Sequence, residues 1–164
     1  MSTLIRSVFA LGYLAATAAL TPSTAWAETY WDDLTWQQRP LVLVQGGTDA
    51  DVWAGRLRAD RCALVERRIH WLVIDEDGAV SRPFGGAEST SFESRPLDAP
   101  AAATVRERVG WSRGDETRLL LFGLDGQRKY AGVPESLDTI WSLIDRMPMR
   151  RAELAREPDE CRDD

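Results

Sequence analysis

The chain has 164 residues, with 20 Lys and Arg against 26 Asp and Glu, a formal net charge of −6, 44% hydrophobic residues, two cysteines and one histidine. That acidic balance excludes nonspecific nucleic-acid binding, which needs surplus cationic side chains to neutralise phosphates. The length suits one hydrophobic core. With a single histidine and no clustered cysteines, a zinc site would have to be built from carboxylates, so neither a metal nor a cofactor is expected.

Residues 1–27 read as a secretory signal peptide. Arg6 supplies the positive start, residues 8–20 an apolar run, and Ala25-Trp26-Ala27 the small-x-small pattern that signal peptidase cuts, leaving Glu28 first. A retained membrane anchor is the rival reading, but the run falls short of the ~20 residues a spanning helix needs. Cleavage removes Arg6 and no acid, leaving 19 basic and 26 acidic residues, a net charge of −7. The mature chain is expected in the periplasm or secreted, with no membrane contact after cleavage.

Tyr30-Trp31-Asp32-Asp33-Leu34-Thr35-Trp36 is expected to lay its aromatic residues over one edge of the core. Arg39-Pro40 then opens Leu41-Val42-Leu43-Val44, a continuous apolar run of the kind found in a strand covered on both faces. Gln45-Gly46-Gly47 ends it. Thr48 and Asp51 have capping-box spacing, and residues 49–64 read as one helix burying Trp53, Leu57 and Leu64. Residues 69–74 form a second strand, which Asp77-Gly78 can turn back along 79–84 as a hairpin. Residues 85–100, rich in Gly, Ser, Ala and Pro, read as a surface excursion without regular structure. A short helix over 101–109 is closed by Gly110.

Next comes the apolar strand 118–123, a two-residue turn at Asp125-Gly126 and a return strand over 127–131. From Ser136, placed to cap, Leu137, Ile140, Trp141, Ile144 and Met147 recur at helical spacing, and Pro148 must kink or restart that helix. The order is β-α-β, an excursion, then α-β-β-α. A parallel β-α-β followed by an antiparallel hairpin and a closing helix gives an α/β fold of thioredoxin-like type, a central mixed sheet flanked by helices. Residues 28–156 make a single domain, and 157–164 a charged tail.

Three segments carry a resemblance to a known family: Trp36-x-x-Arg39-Pro40-Leu41-Val42-Leu43; Leu121-Phe122-Gly123-Leu124-Asp125-Gly126 followed by Lys129; and Ile144-Asp145-Arg146-Met147-Pro148-Met149-Arg150-Arg151-Ala152-Glu153. Together they resemble DUF4174, a domain of exported bacterial proteins and of extracellular animal proteins of the coiled-coil-domain-80 and sushi-repeat type. The similarity spans about 34–154, and its specific part is Met-Pro-Met-Arg-Arg. The resemblance implies a thioredoxin- or peroxiredoxin-like fold, a location outside the cytoplasm and no established activity. Fold alone does not supply one.

Thioredoxin-like enzymes place their working cysteine at the start of the first helix after a strand, where the dipole and free N–H groups favour a thiolate. Here that position reads Gly46-Gly47-Thr48-Asp49-Ala50-Asp51, with no Cys-x-x-Cys, and 112–117 lacks the proline such enzymes set beside their active site. No catalytic residue is assigned. Cys62 and Cys161 are candidate disulfide partners in an oxidising compartment. His70 reads as a packed or edge strand residue and Asp75-Glu76-Asp77 as a solvated acidic turn. Arg146, Arg150 and Arg151 either dock a carboxylate or an acidic partner through paired bonds, or pair with Asp145, Glu153 and Asp138 and fix the helix end. The leading expectation is a non-enzymatic binding or envelope module whose partner, an unknown protein or a small anion, the residues do not identify. The alternative is a divergent thiol peroxidase or disulfide-exchange enzyme using Cys62 or Cys161.

Overall fold

A computed structural model describes residues 25–84 and 93–156. Helix α1 (Ala25–Leu34) leads into strand β1 (Arg39–Val44), helices α2 (Ala50–Ala59) and α3 (Arg61–Glu66), and strand β2 (Ile69–Ile74). Strands β3 (Val80–Phe84) and β4 (Glu93–Pro96) follow, then helix α4 (Ala99–Val109), strands β5 (Arg118–Phe122) and β6 (Arg128–Gly132), and helices α5 (Leu137–Asp145) and α6 (Pro148–Leu154). The six strands form one mixed sheet in the order β4-β3-β2-β1-β5-β6. Strand β1 pairs in parallel with β2 and antiparallel with β5, and the remaining neighbours are antiparallel. This is an α/β fold with the β2-β1-β5-β6 arrangement expected of a thioredoxin-like sheet, extended by a β3-β4 edge.

Period-two alternation in the central strands divides the core between two faces. Leu41, Leu43, Trp71, Leu119 and Leu121 pack with Trp53 and Leu57 of α2, Leu64 of α3, and Ile140, Trp141 and Ile144 of α5. Val42, Val44, Leu72, Ile74, Leu120 and Phe122 pack with Trp31 of α1 and with Ala102, Val105 and Val109 of α4. All six residues of β1 are buried, as an interior strand covered on both faces requires. Each fully buried Leu, Ile or Val here contributes roughly 1.5–3 kcal/mol relative to exposure. The edges are polar instead: β4 is exposed throughout and ends in Pro96, while β6 presents Arg128 and Lys129. Charge and proline at an edge discourage pairing with another chain.

Several local expectations are corrected. The segment 49–64 is two helices, broken at Asp60 (φ −93°, ψ 38°), whose carboxylate accepts a hydrogen bond from Trp141 Nε1 at 2.8 Å. No capping box forms at Thr48 and Asp51; the N-cap is Asp49, without a side-chain cap bond. Ser136 likewise makes no cap bond to its helix. By contrast, Asp98 caps α4 by accepting from the Ala101 N–H at 2.9 Å, and Gly110 ends that helix in the left-handed region at φ 65°.

The Asp125-Gly126 turn is longer than two residues. Gly123 N–H bonds the Gln127 carbonyl at 2.9 Å, Gly126 sits at φ 70°, and the register shifts at Leu121/Phe122, which makes a three-residue loop with a bulge. The presumed excursion contains β4, and residues 85–92 lie outside the described residues. Of the aromatic residues before β1, Trp31 is in the core, edge-on to Phe122 with ring centroids 4.8 Å apart, whereas Trp36 is 63% exposed at φ 67°. Helix α1 runs across the expected Ala27–Glu28 junction, and residues 1–24 of the expected leader lie outside the described residues.

Candidate functional site

The loop between β1 and α2 occupies the position where a thioredoxin-like enzyme keeps its thiolate, and here it is built as a rigid acidic surface. Thr117, at the start of β5, fastens it: its N–H donates to the Gly46 carbonyl at 3.2 Å, its hydroxyl also donates to that carbonyl, and Gly46 N–H contacts its Oγ1 at 3.2 Å. A Cβ on Gly46 would lie 1.9 Å from the Asp115 carbonyl oxygen, so only glycine fits. Asp49 and Asp51 stand at the start of α2, and Asp75, Glu76 and Asp77 close the other side of the cleft. No described peptide bond is cis.

The acidic turn is held by its own bonds. Asp75 Oδ1 accepts from the N–H groups of Asp77 at 3.0 Å and Ala79 at 2.8 Å, and Asp77 pairs with Arg113 at 2.9 Å. Asp115 accepts from the Ser112 N–H at 2.8 Å and from Arg118 at 2.9 Å, which holds its carboxyl below the usual carboxylate range. Among the described residues no group of three or more His, Cys, Asp or Glu is arranged to hold a metal ion. Carboxylates at a helix start use the dipole themselves and repel an incoming anion, so this cleft favours neither a thiolate nor a phosphate.

Cys62 lies on α3, at the far end of the α2–α3 pair from that cleft. It is half-buried, and it is not a free thiol. Cys161 lies outside the described residues. His70 is buried inside the sheet. Its Nε2 meets the Tyr30 hydroxyl at 2.8 Å, and its Nδ1 meets Gln38 Oε1 at 2.6 Å, a pairing suited to a neutral ring that donates from Nδ1 and accepts at Nε2. Burial, assisted by the nearby Arg82, lowers its pKa to about 4. Burial also raises the Tyr30 pKa to about 12, against the pull of Arg82.

The three arginines at the α5–α6 junction and on α6 do not converge. Arg150 turns inward and is 5% exposed, donating to the Glu66 carbonyl at 2.7 Å and lying 3.5 Å from Asp145 and 3.8 Å from Glu153. Arg146 and Arg151 are exposed, with Arg146 Nε bonded to the Ser142 carbonyl at 2.9 Å. What sequence reasoning missed is the ionic knot that Arg150 joins. Arg39, 1% exposed, grips Glu153 through two bonds at 3.0 and 3.1 Å and donates to the Arg67 carbonyl at 2.9 Å. Arg67 bonds Asp145 at 2.7 Å. The segments that carry the family resemblance meet beside this knot, where Arg39, Gly123, Asp125, Lys129, Met147 and Met149 surround a small cavity of about 90 Å³.

Adjoining the knot is a second feature that the sequence did not reveal, a groove of about 450 Å³. Its basic walls are Arg61 of α3, Arg68 in the turn before β2, and Arg82 of β3, and Leu64, Ile69 and Trp71 supply its apolar part. These arginines are scattered over the sequence, and only the left-handed turn at Arg68 (φ 52°) together with the β2-β3 pairing brings them to one place. Lying at the β2 end opposite the acidic cleft, the groove sets guanidinium groups beside an apolar surface.

A family model described as "Domain of unknown function (DUF4174)" matches residues 31–153. No curated protein and no solved structure matches.

Proposed function

The chain belongs to the DUF4174 family, and from that premise we propose that it is an exported thioredoxin-like module that binds a partner and carries out no thiol catalysis. The observation that carries this reading is the loop 46–51: where a redox enzyme needs a cysteine, this chain has Gly46 locked against Thr117 and Asp115, followed by Asp49 and Asp51. Cys62 is remote from that loop and is not a free thiol, which supports a structural disulfide with Cys161. The leader over 1–27 supports export, and an oxidising compartment would keep such a bond. Docking around the α5–α6 junction would fall to the exposed Arg146 and Arg151, since Arg150 is engaged inside.

Intact-mass analysis of protein from its native compartment, alkylated with and without reduction, tests this reading. The expected result is a monomer with no alkylated thiol before reductant and two after it. A thiol that labels at once and is then lost to dilute peroxide would instead make the chain a thiol enzyme.

A further inference from the structure

The small cavity where β1, the β5-β6 turn and the start of α6 meet has an apolar lining of Leu124, Met147, Pro148 and Met149, completed by Arg39, Asp125 and Lys129. A Cβ on Gly123 would lie 2.6 Å from Asp125 Oδ1 and 2.7 Å from Lys129 Cε, so glycine there lets the Lys129–Asp125 ion pair fold down as the polar wall. Arg39 is 1% exposed, and its Nε, unlike its two terminal nitrogens, has no hydrogen-bond partner among the described residues. The volume of about 90 Å³ is roughly three waters' share of liquid water, against roughly 300–1,000 Å³ for sites that take a whole small molecule. It suits one aliphatic side chain.

The surroundings have the composition of a protein contact. Trp36 N–H donates to the Leu124 carbonyl at 2.7 Å, which fixes its backbone to the cavity's own loop, yet Trp36 is 63% exposed and stands at φ 67°. That conformation is strained for a bulky residue, and the fold gains little from an indole left in water. Met149, in the lining, is 42% exposed. Tryptophan, methionine and arginine are enriched where proteins meet. Charge narrows the choice of partner: Arg128 flanks Lys129, Arg146 flanks Met147, and Arg151 lies one turn beyond Met147, all exposed in a chain of net charge −6.

We propose that this cavity is the anchor pocket of a protein interface, taking one aliphatic side chain of leucine size from an extended acidic segment of a partner. Trp36 packs against that segment, Lys129, Arg146 and Arg151 meet its carboxylates, and an oxygen carried in with the anchor gives Arg39 Nε an acceptor. The inference rests on the partner-binding reading above and deepens it by naming the surface and the partner's chemistry.

The chain has three methionines, Met1, Met147 and Met149, so methyl-labelled methionine gives a spectrum in which two signals report the cavity. Met147→Leu and Met149→Leu assign them. The probes are the peptides acetyl-Asp-Glu-Leu-Glu-Asp-amide and its Ala-centred counterpart, titrated to about 5 mM. Both cavity methyls are expected to shift saturably, with the Leu peptide binding roughly tenfold tighter than the Ala peptide. Arg146→Gln with Arg151→Gln, or salt raised from 20 mM to 0.5 M, should weaken binding several-fold. Trp36→Gly, which suits φ 67°, should weaken it similarly without lowering the urea midpoint. Methyls that ignore both peptides overturn the inference. Equal affinity for the two peptides reveals a charge contact without an anchor and overturns it as well, as do methyl shifts that follow protein concentration alone, which would put a second copy of this chain in the pocket. A thiol that labels before reductant overturns the reading above without moving these signals.

Discussion

His70 is kept neutral because its ring is buried and both its nitrogens already have partners, Tyr30 and Gln38. The unfolded chain takes up a proton near pH 6.5, but the folded chain resists until about pH 4. Folding stability is therefore fully present above pH 6.5 and is lost as pH falls toward 4, at up to about 1.4 kcal/mol per pH unit and about 3 kcal/mol in all. Urea unfolding at pH 7 and pH 5 should show this slope in the wild type and lose it in His70→Gln. A slope unchanged in the variant would place the titration elsewhere. That His70 is packed inside a strand was legible from its alternation with Ile69 and Trp71. Its partners were not, since Tyr30 and Gln38 are 40 and 32 residues away and no local pattern announces a contact of that range.

At the scale of the element, α6 has seven residues, too few to persist on intrinsic propensity. Its place depends on Glu153 meeting Arg39 and on Arg150 meeting the Glu66 carbonyl. Removing one partner of a buried ion pair strands the other, so Glu153→Ala should cost about 3–5 kcal/mol, with Glu153→Gln, which keeps one acceptor, costing less. Urea midpoints decide this, and a loss below 1 kcal/mol would show that the knot is solvated. The restart at Pro148 could be read directly, because proline cannot continue the preceding turn. The inward aim of Arg150 could not: acids and arginines one turn apart also describe a solvated helix face. Strand β4 was missed for a related reason. Both its faces are exposed, so it carries no apolar alternation to detect.

The whole molecule is polarised along β2. Acidic groups gather around the Asp75–Asp77 turn after this strand, and arginines line the groove beside its first residues. The sheet order followed from the succession of elements, since a parallel β-α-β unit and an antiparallel hairpin leave few arrangements. The polarity did not follow, because it is made by residues that only the completed fold brings together. A Cys62–Cys161 bridge would close a loop of about a hundred residues, and in the chain-entropy model that stabilises the fold by about 4–5 kcal/mol less any strain. Guanidinium unfolding of Cys62→Ser against the oxidised wild type should show a loss of that order. Equal stabilities would mean that the two cysteines do not restrain the unfolded chain.

The central position of β1 also sets an order in time. Its neighbour β2 follows within about thirty residues, but β5, on its other side, is not complete until Phe122 has been made. Until then β1 has an open flank, and its Leu41, Val42, Leu43 and Val44 remain partly uncovered. Pairings between distant segments form slowly because a long loop must close before they are rewarded. The sheet thus cannot close while the polypeptide is only two-thirds synthesised, and the export proposed above would meet a chain still threadable for most of its passage from the ribosome.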